Sequence, residues 1–223
     1  MANRRQRGLS MIELLVGSAI GLIVVAATGS IVAAHQGAAR RAQHEARLLQ
    51  DLRGAAELVG RDLRRAGQWG AAASGIRRGD QAGDRNPHAA IAVGSGASAA
   101  VALSFATGAG DPLAIDDAER FGFRLRNGAI EMQLGASNWQ SLSDPRTVVI
   151  TTFSVVPRVE EADLGSFCDK PCAAGSTTCP PRQQIRSYAI ALGGRATADP
   201  RVARELRSSV RVRNDVVVGS CEA

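Results

Sequence analysis

The stretch Gly8-Leu9-Ser10-Met11-Ile12-Glu13 follows three arginines (Arg4, Arg5, Arg7) and opens onto a run, Leu14 to Ala34, that holds no charged residue. The run is 21 residues long, and a helix needs about 20 to cross a hydrocarbon core of about 30 Å. The arginines place the segment before Gly8 on the cytoplasmic side. Glu13 stands at the head of the apolar run, where a carboxylate is costly and marks a functional site by default. A secretory signal peptide is the first rival, because Val32-Ala33-Ala34 has the small side chains of a cleavage site. Its apolar region is usually only about 7–15 residues, and neither it nor a plain signal anchor gives Glu13 a purpose. Gly17 and Gly21 form a Gly-x3-Gly pair of the kind that lets membrane helices approach closely.

This arrangement resembles the leader and first helix of type IV pilins and type II secretion pseudopilins. The resemblance implies that a prepilin peptidase cuts after Gly8 and that the new N-terminal residue, Leu9, is methylated on its amine. The family usually has Phe at that position. Glu13 falls at the fifth mature position, where the family keeps a glutamate thought to meet the free amine of the neighbouring subunit's first residue. A pair of buried charges lowers the cost of each, so such a contact would set axial register more than net stability.

Beyond Ala34 the helical period continues with polar residues. Leu48, Leu52, Ala55, Val59, Leu63 and Ala66 recur every three or four positions, which is one apolar stripe on an amphipathic helix. Arg47, Asp51, Arg53, Glu57, Arg61, Asp62 and Arg64 occupy mostly the other faces. A helix from Ser10 to Ala66 would be about 85 Å long, with Gly67 as its C-cap. The ending Leu63-Arg64-Arg65-Ala66-Gly67-Gln68-Trp69-Gly70 is similar to that of the long helix in PilW-type minor pilins, which share a fold with the secretion pseudopilin J. That family often carries a cysteine just after this motif, where this chain has Ala71. The implied fold is α+β: a long N-terminal helix, transmembrane in its first half and amphipathic in its second, packed on an antiparallel β-sheet head. The expected organisation is a leader (1–8), a transmembrane and assembly helix (9–34), its amphipathic half (35–70) and a β-rich head with a disulfide-stapled loop (71–223).

Residues 71–98 read as loop, with a short strand at Ile91-Ala92-Val93. Val101 to Phe105 is a strand. Phe121 to Arg126 alternates, Asn127-Gly128 is the strongest short hairpin signal, and Ala129 to Leu134 returns. Trp139 belongs to the next turn or edge. The β-branched run Val148 to Val156 predicts a buried central strand. Residues 157–183 hold prolines, glycines and three cysteines, and read as a stapled loop. Arg186 to Leu192 is a strand, Arg201 to Leu206 a helical turn, and Ser209 to Asn214 alternates again before Val216-Val217-Val218.

All four cysteines (Cys168, Cys172, Cys179, Cys221) lie in the last quarter. An even number in an oxidising compartment favours two disulfides, for which three connectivities exist. We expect a tight Cys168–Cys172 loop and a Cys179–Cys221 bridge tying the C-terminus down. A zinc site is the rival, but Cys-x3-Cys-x6-Cys lacks nearby histidine and the usual paired spacing.

Of the formal charge of +6, three units belong to Arg4, Arg5 and Arg7, leaving +3 for the rest. Arg201, Arg204, Arg207, Arg211 and Arg213 could meet phosphates, yet aromatics make up only 4% of the chain and are not interleaved with them. Nucleic acid is therefore set aside. The acids Asp116, Asp117 and Glu119, and Glu160, Glu161 and Asp163, lack the ordered spacing of a calcium loop. No metal or cofactor is expected. His35, His44 and His88 are scattered, and no nucleophile elbow or phosphate loop is present, so no enzyme is expected.

What the resemblance implies is a minor pilin that primes or supports type IV pilus assembly near the tip. The alternatives are a minor pseudopilin of a type II secretion system and a DNA-binding pilin. Its implied partners are the prepilin peptidase, other minor pilins and the major pilin, the inner-membrane assembly platform and a tip adhesin. The implied location is the inner membrane, single-pass with a periplasmic head, and then the filament.

Overall fold

The computed structural model describes residues 10–76, 83–94, 100–108 and 111–222. The expected leader, and the parts of the expected loop at 77–82 and 95–98, lie outside them. Among the described residues one long helix, α1 (Met11–Arg65), is followed by nine strands. The chain divides into two compact units, one ending at His44 and the other beginning at Glu45.

In the first unit α1 begins with a reciprocal cap. The Ser10 hydroxyl accepts from the Ile12 N–H at 3.3 Å, and the Glu13 carboxylate accepts from the Ser10 N–H at 3.1 Å. A serine at the N-cap with glutamate three residues on satisfies two otherwise orphaned donors. The apolar side chains that follow are exposed, Met11 by 85% and Leu22 by 71%. The few hydroxyls in this stretch turn inward: Ser18 donates to the Leu15 carbonyl, Thr28 to Val24 and Val25, and Ser30 to Ala27. Such bonds leave no polar group needing water.

In the second unit the stripe Leu48, Leu52, Ala55, Val59, Leu63 and Ala66 is buried as its period predicts. It lies against a four-stranded antiparallel sheet, β6 (Val148–Asp163), β7 (Arg182–Ala196), β8 (Ala203–Arg211) and β9 (Val216–Val218), in which β7 pairs with all three others. Contact is closest at the glycines. A Cβ on Gly194 would stand 3.3 Å from the Leu48 side chain and 3.2 Å from the Val149 carbonyl, and one on Gly60 would stand 3.9 Å from Ile190.

The other sheet is an antiparallel meander of β1 (Ala92–Val93), β2 (Ala100–Ser104), β3 (Arg120–Arg126), β4 (Ala129–Leu134) and β5 (Trp139–Ser141). The β3–β4 hairpin turns at Asn127 (φ 50°) and Gly128 (φ 75°), the two positive φ angles that a tight two-residue turn demands. Phe123 and Ile130 fill its buried face. The sheets meet where the Ile150 N–H donates to the Gly128 carbonyl at 2.8 Å. Thr151 is the extra residue of a bulge in β6, since Ile150 pairs with Gly194 and Thr152 with Gly193, and a bulge bends the strand that carries it.

Three expected elements differ. The run Val148 to Val156 is not a central strand: among the described residues β6 pairs only with β7 and forms an edge. Its side chains alternate about the bulge, Val148, Ile150, Phe153 and Val155 buried, Thr152, Ser154 and Val156 exposed. The central place goes to β7, whose small residues let helix and strands approach. Strand β6 also continues to Asp163, so the stapled loop is confined to 164–181. Finally, Arg201 to Leu206 is not a helical turn. After a turn closed by Val202 N–H on the Asp199 carbonyl, β8 begins at Ala203, and its exposed arginines suit an edge strand.

The disulfide pairing is likewise corrected. The bridges are Cys168–Cys221, with Cα atoms 5.4 Å apart, and Cys172–Cys179, at 5.5 Å. The strand register explains why. Asp163, Arg182 and Val218 stand side by side across β6, β7 and β9. Cys168 and Cys221 therefore leave the same end of the sheet by short paths, and Cys172 and Cys179 are left within the loop to close on each other.

Candidate functional site

Two stretches single themselves out. The first is the start of α1. The expected cleavage and methylation residues, Gly8 and Leu9, lie outside the described residues. Glu13 is described, and its carboxylate is engaged with the Ser10 N–H. Sequence reading gave Glu13 only an assembly role, yet the spacing Ser10-x2-Glu13 is itself the signature of the cap. Gly17 and Gly21 are open, with no side chain or other element within 4 Å of a Cβ placed there. Met11–Arg65 has an 18-residue window of mean hydropathy 2.2 with none of it buried, long and apolar enough to cross a membrane.

The second stretch is the end of α1, residues 63–70. A helix leaves its last four carbonyls without intrahelical partners, and here both the following turn and residues from distant elements donate to the carbonyls at the helix end. The Arg213 N–H donates to the Arg64 carbonyl at 3.2 Å, and Gln68 N–H to Arg65 at 3.0 Å. The Asn214 amide donates to Ala66 at 3.0 Å, and the Asn86 amide donates to Gly67 at 2.8 Å. Gly67 has φ 78°, a conformation that glycine adopts without strain. Its N–H reaches the Ser104 carbonyl at the end of β2, and the Ala106 N–H comes back to Gln68. The Arg65 guanidinium lies 4.1 Å over the Phe105 ring, which stacks on Phe121. Trp69 donates its indole N–H to the Pro112 carbonyl. The segment thus joins helix, both sheets and the C-terminal segment.

Two buried polar side chains complete this junction. Arg186 on β7 donates to the carbonyls of Ala89 and Asn214. Beside it, burial pushes the Tyr188 phenol up, against the pull of the Arg186 charge. His88 is 1% exposed, in a turn whose Asn86 side chain accepts from the His88 N–H. Burial lowers the His88 imidazole from its ordinary value, and Glu119, whose carboxylate is 3.7 Å away, pulls it back up. Nothing in the sequence marked His88 or Arg186, because their partners, the Glu119 carboxylate for one and the Ala89 and Asn214 carbonyls for the other, come from segments far along the chain.

The acid clusters are occupied within the fold. Glu119 is buried and accepts from the N–H groups of Thr107 and Asp116. Glu161 accepts from Gln184 and lies 3.5 Å from Arg182, and alternation along β6 sends Glu160 to the opposite face from Glu161 and Asp163. Of the arginine series, Arg201 pairs with Asp199 at 2.9 Å, Arg204 with Glu45 at 2.6 Å, Arg207 with Glu205 at 2.7 Å and Arg211 with Asp215 at 2.9 Å. The Trp139 ring is covered by Arg124 at 3.9 Å. All four cysteines are bonded as disulfides.

A capped, uncovered apolar helix carried by a β-rich unit is the build of a pilin-like protein, and residues 3–29 match the prokaryotic N-terminal methylation motif. Residues 41–212 match the family described as prepilin peptidase-dependent protein B. The chain belongs to that family, so it is a type IV pilin-like protein whose processing depends on the prepilin peptidase. No curated protein and no solved structure matches it.

Proposed function

We propose that this chain is a PilW-like minor pilin: a non-enzymatic subunit, cut after Gly8 and methylated on Leu9, that primes type IV pilus assembly near the filament tip. One observation carries the reading. The apolar first stretch of α1 has none of its 18-residue window buried by the protein's own fold, so something else must cover it, first lipid and then the helices of neighbouring subunits. The PilW-like ending of the helix, residues 63–70, supports a pilus over a secretion pseudopilus. Two disulfides favour a head held in the periplasm, since such bonds persist in oxidising compartments. In the filament Glu13 exchanges its local bond to Ser10 for the amine of a neighbour's Leu9.

Mass spectrometry of the protein recovered from cells should show a methylated N-terminus at Leu9, and Gly8→Arg should leave the chain at its unprocessed mass. A deletion strain should lose surface pili while keeping type II secretion. A chain starting at His35, or a deletion that stops secretion and spares pili, would overturn the proposal.

A further inference from the structure

The bond that holds Arg213 to the end of α1 has a second effect. The Arg213 N–H meets the Arg64 carbonyl at 3.2 Å, so two arginines far apart in sequence are pinned with their side chains leaving from neighbouring points. Arg64, Arg211 and Arg213 line one groove of about 460 Å³ together with Ser209, Val210 and Val212. Val210 and Val212 are buried, so the polar side chains that line the groove are those of Arg64, Arg211, Arg213 and Ser209.

The charges there are not balanced. Arg211 is paired with Asp215, whose same carboxylate oxygen also accepts from Gln183. Arg64 and Arg213 are exposed, and among the described residues neither side chain has an ion-pair or hydrogen-bond partner. This sets them apart from Arg201, Arg204 and Arg207, each of which has its own acid. A guanidinium offers a rigid fork of N–H donors that matches an oxyanion two bonds at a time. A serine hydroxyl supplies a further donor that rotates to suit.

We propose that this groove binds a phosphate-class oxyanion, with Arg64 and Arg213 holding it and Arg211 and Ser209 lining its side. The volume leaves room for a substituent, so the oxyanion is a free phosphate or the phosphate of a lipid headgroup. A nucleic-acid track is a different prediction: each neutralised phosphate adds about −0.9 to the slope of log affinity against log salt for a duplex. Two free arginines give a slope of about −2 by that rule, whereas all five arginines of the series would give about −4.5.

The test uses the full chain in a zwitterionic detergent, titrated calorimetrically with inorganic phosphate and, separately, with a short-chain phosphatidylglycerol below its micelle concentration. A dissociation constant of about 1 mM is expected, typical of a few exposed charge-assisted bonds. Arg64→Gln with Arg213→Gln should weaken it at least ~10-fold, the scale of one lost charge-assisted contact. Arg53→Gln, an exposed arginine of the same helix outside the groove, should change nothing. Both variants keep the backbone bond, and melting temperatures equal to that of the parent chain confirm folding. Arg213→Lys, which keeps the charge and loses the fork, should fall between. Equal affinity for the two ligands assigns free phosphate, and tighter lipid binding assigns the headgroup. Unchanged affinity in the double variant, no binding of either ligand, or duplex DNA binding with the steeper salt slope would overturn the proposal.

Discussion

Breaking the Cys168–Cys221 bridge should destabilise the head more than breaking Cys172–Cys179. The first bridge spans 53 positions and the second 7. In the chain-entropy account, a cross-link restricts the unfolded ensemble by a fixed term plus one that grows as 1.5R ln n. For these spans it gives about 4.2 kcal/mol and about 2.4 kcal/mol at 25 °C, a difference of about 1.8 kcal/mol. The native state widens the gap in the same direction. Cys221 ends the segment in which Arg213 and Asn214 cap α1 and β9 pairs with β7, so freeing it loosens those contacts too. Cys172–Cys179 only tightens a surface loop. The experiment compares Cys168→Ser/Cys221→Ser with Cys172→Ser/Cys179→Ser, each as the full chain in a neutral detergent, by urea titration followed through Trp69 and Trp139 fluorescence. The long-bridge variant should have the lower midpoint. Equal losses, a larger loss for the short bridge, or recovery of a Cys168–Cys172 linked peptide from the parent protein would refute the reasoning.

Glu13→Gln keeps an acceptor for the Ser10 N–H, since glutamine serves in such caps, but removes the charge. It should be processed normally and yet be scarce in sheared filaments by immunoblot; wild-type incorporation would leave Glu13 with its capping role alone. Burial holds His88 below its ordinary value, so the unfolded chain binds that proton first. Stability is therefore complete above the unfolded value of about 6.5 and falls as pH drops through it, by up to about 1.4 kcal/mol per unit. Urea midpoints at pH 7.5 and 5.5 should differ by less in His88→Gln than in the parent. Gly67→Ala forces an alanine to φ 78° and sets its Cβ 3.3 Å from that of Asn214. It should cost about 1–3 kcal/mol, read from thermal unfolding, while a normal melting point would show that the helix end can relax.

Periodic features were legible in the sequence and long-range pairings were not. The stripe from Leu48 to Ala66 and the Asn127-Gly128 hairpin each declare themselves within a short stretch of chain, because burial on one face and positive φ leave local marks. The edge position of β6 left no such mark: β-branched residues suit a pleated, half-buried surface wherever the strand sits in a sheet. The disulfides failed to show for a similar reason. Sequence spacing made Cys168–Cys172 the near pair, while strand register carried Cys221 to Cys168. At the candidate site, the motif 63–70 was visible as a pattern, but its work was hidden. Its partners Asn86, Arg213 and Asn214 are recruited by backbone carbonyls, which all residue types share.

The order in which these partners emerge has a consequence for biogenesis. The carbonyls ending α1 belong to residues made in the first third of translation, and the groups that quench two of them, Arg213 N–H and the Asn214 amide, come some 150 residues later. Until then the amphipathic half of the helix has neither its terminus sealed nor β7 to lie on. A nascent chain can thus be held by its apolar segment while the remainder waits, unfinished, for its final residues to arrive and lock it.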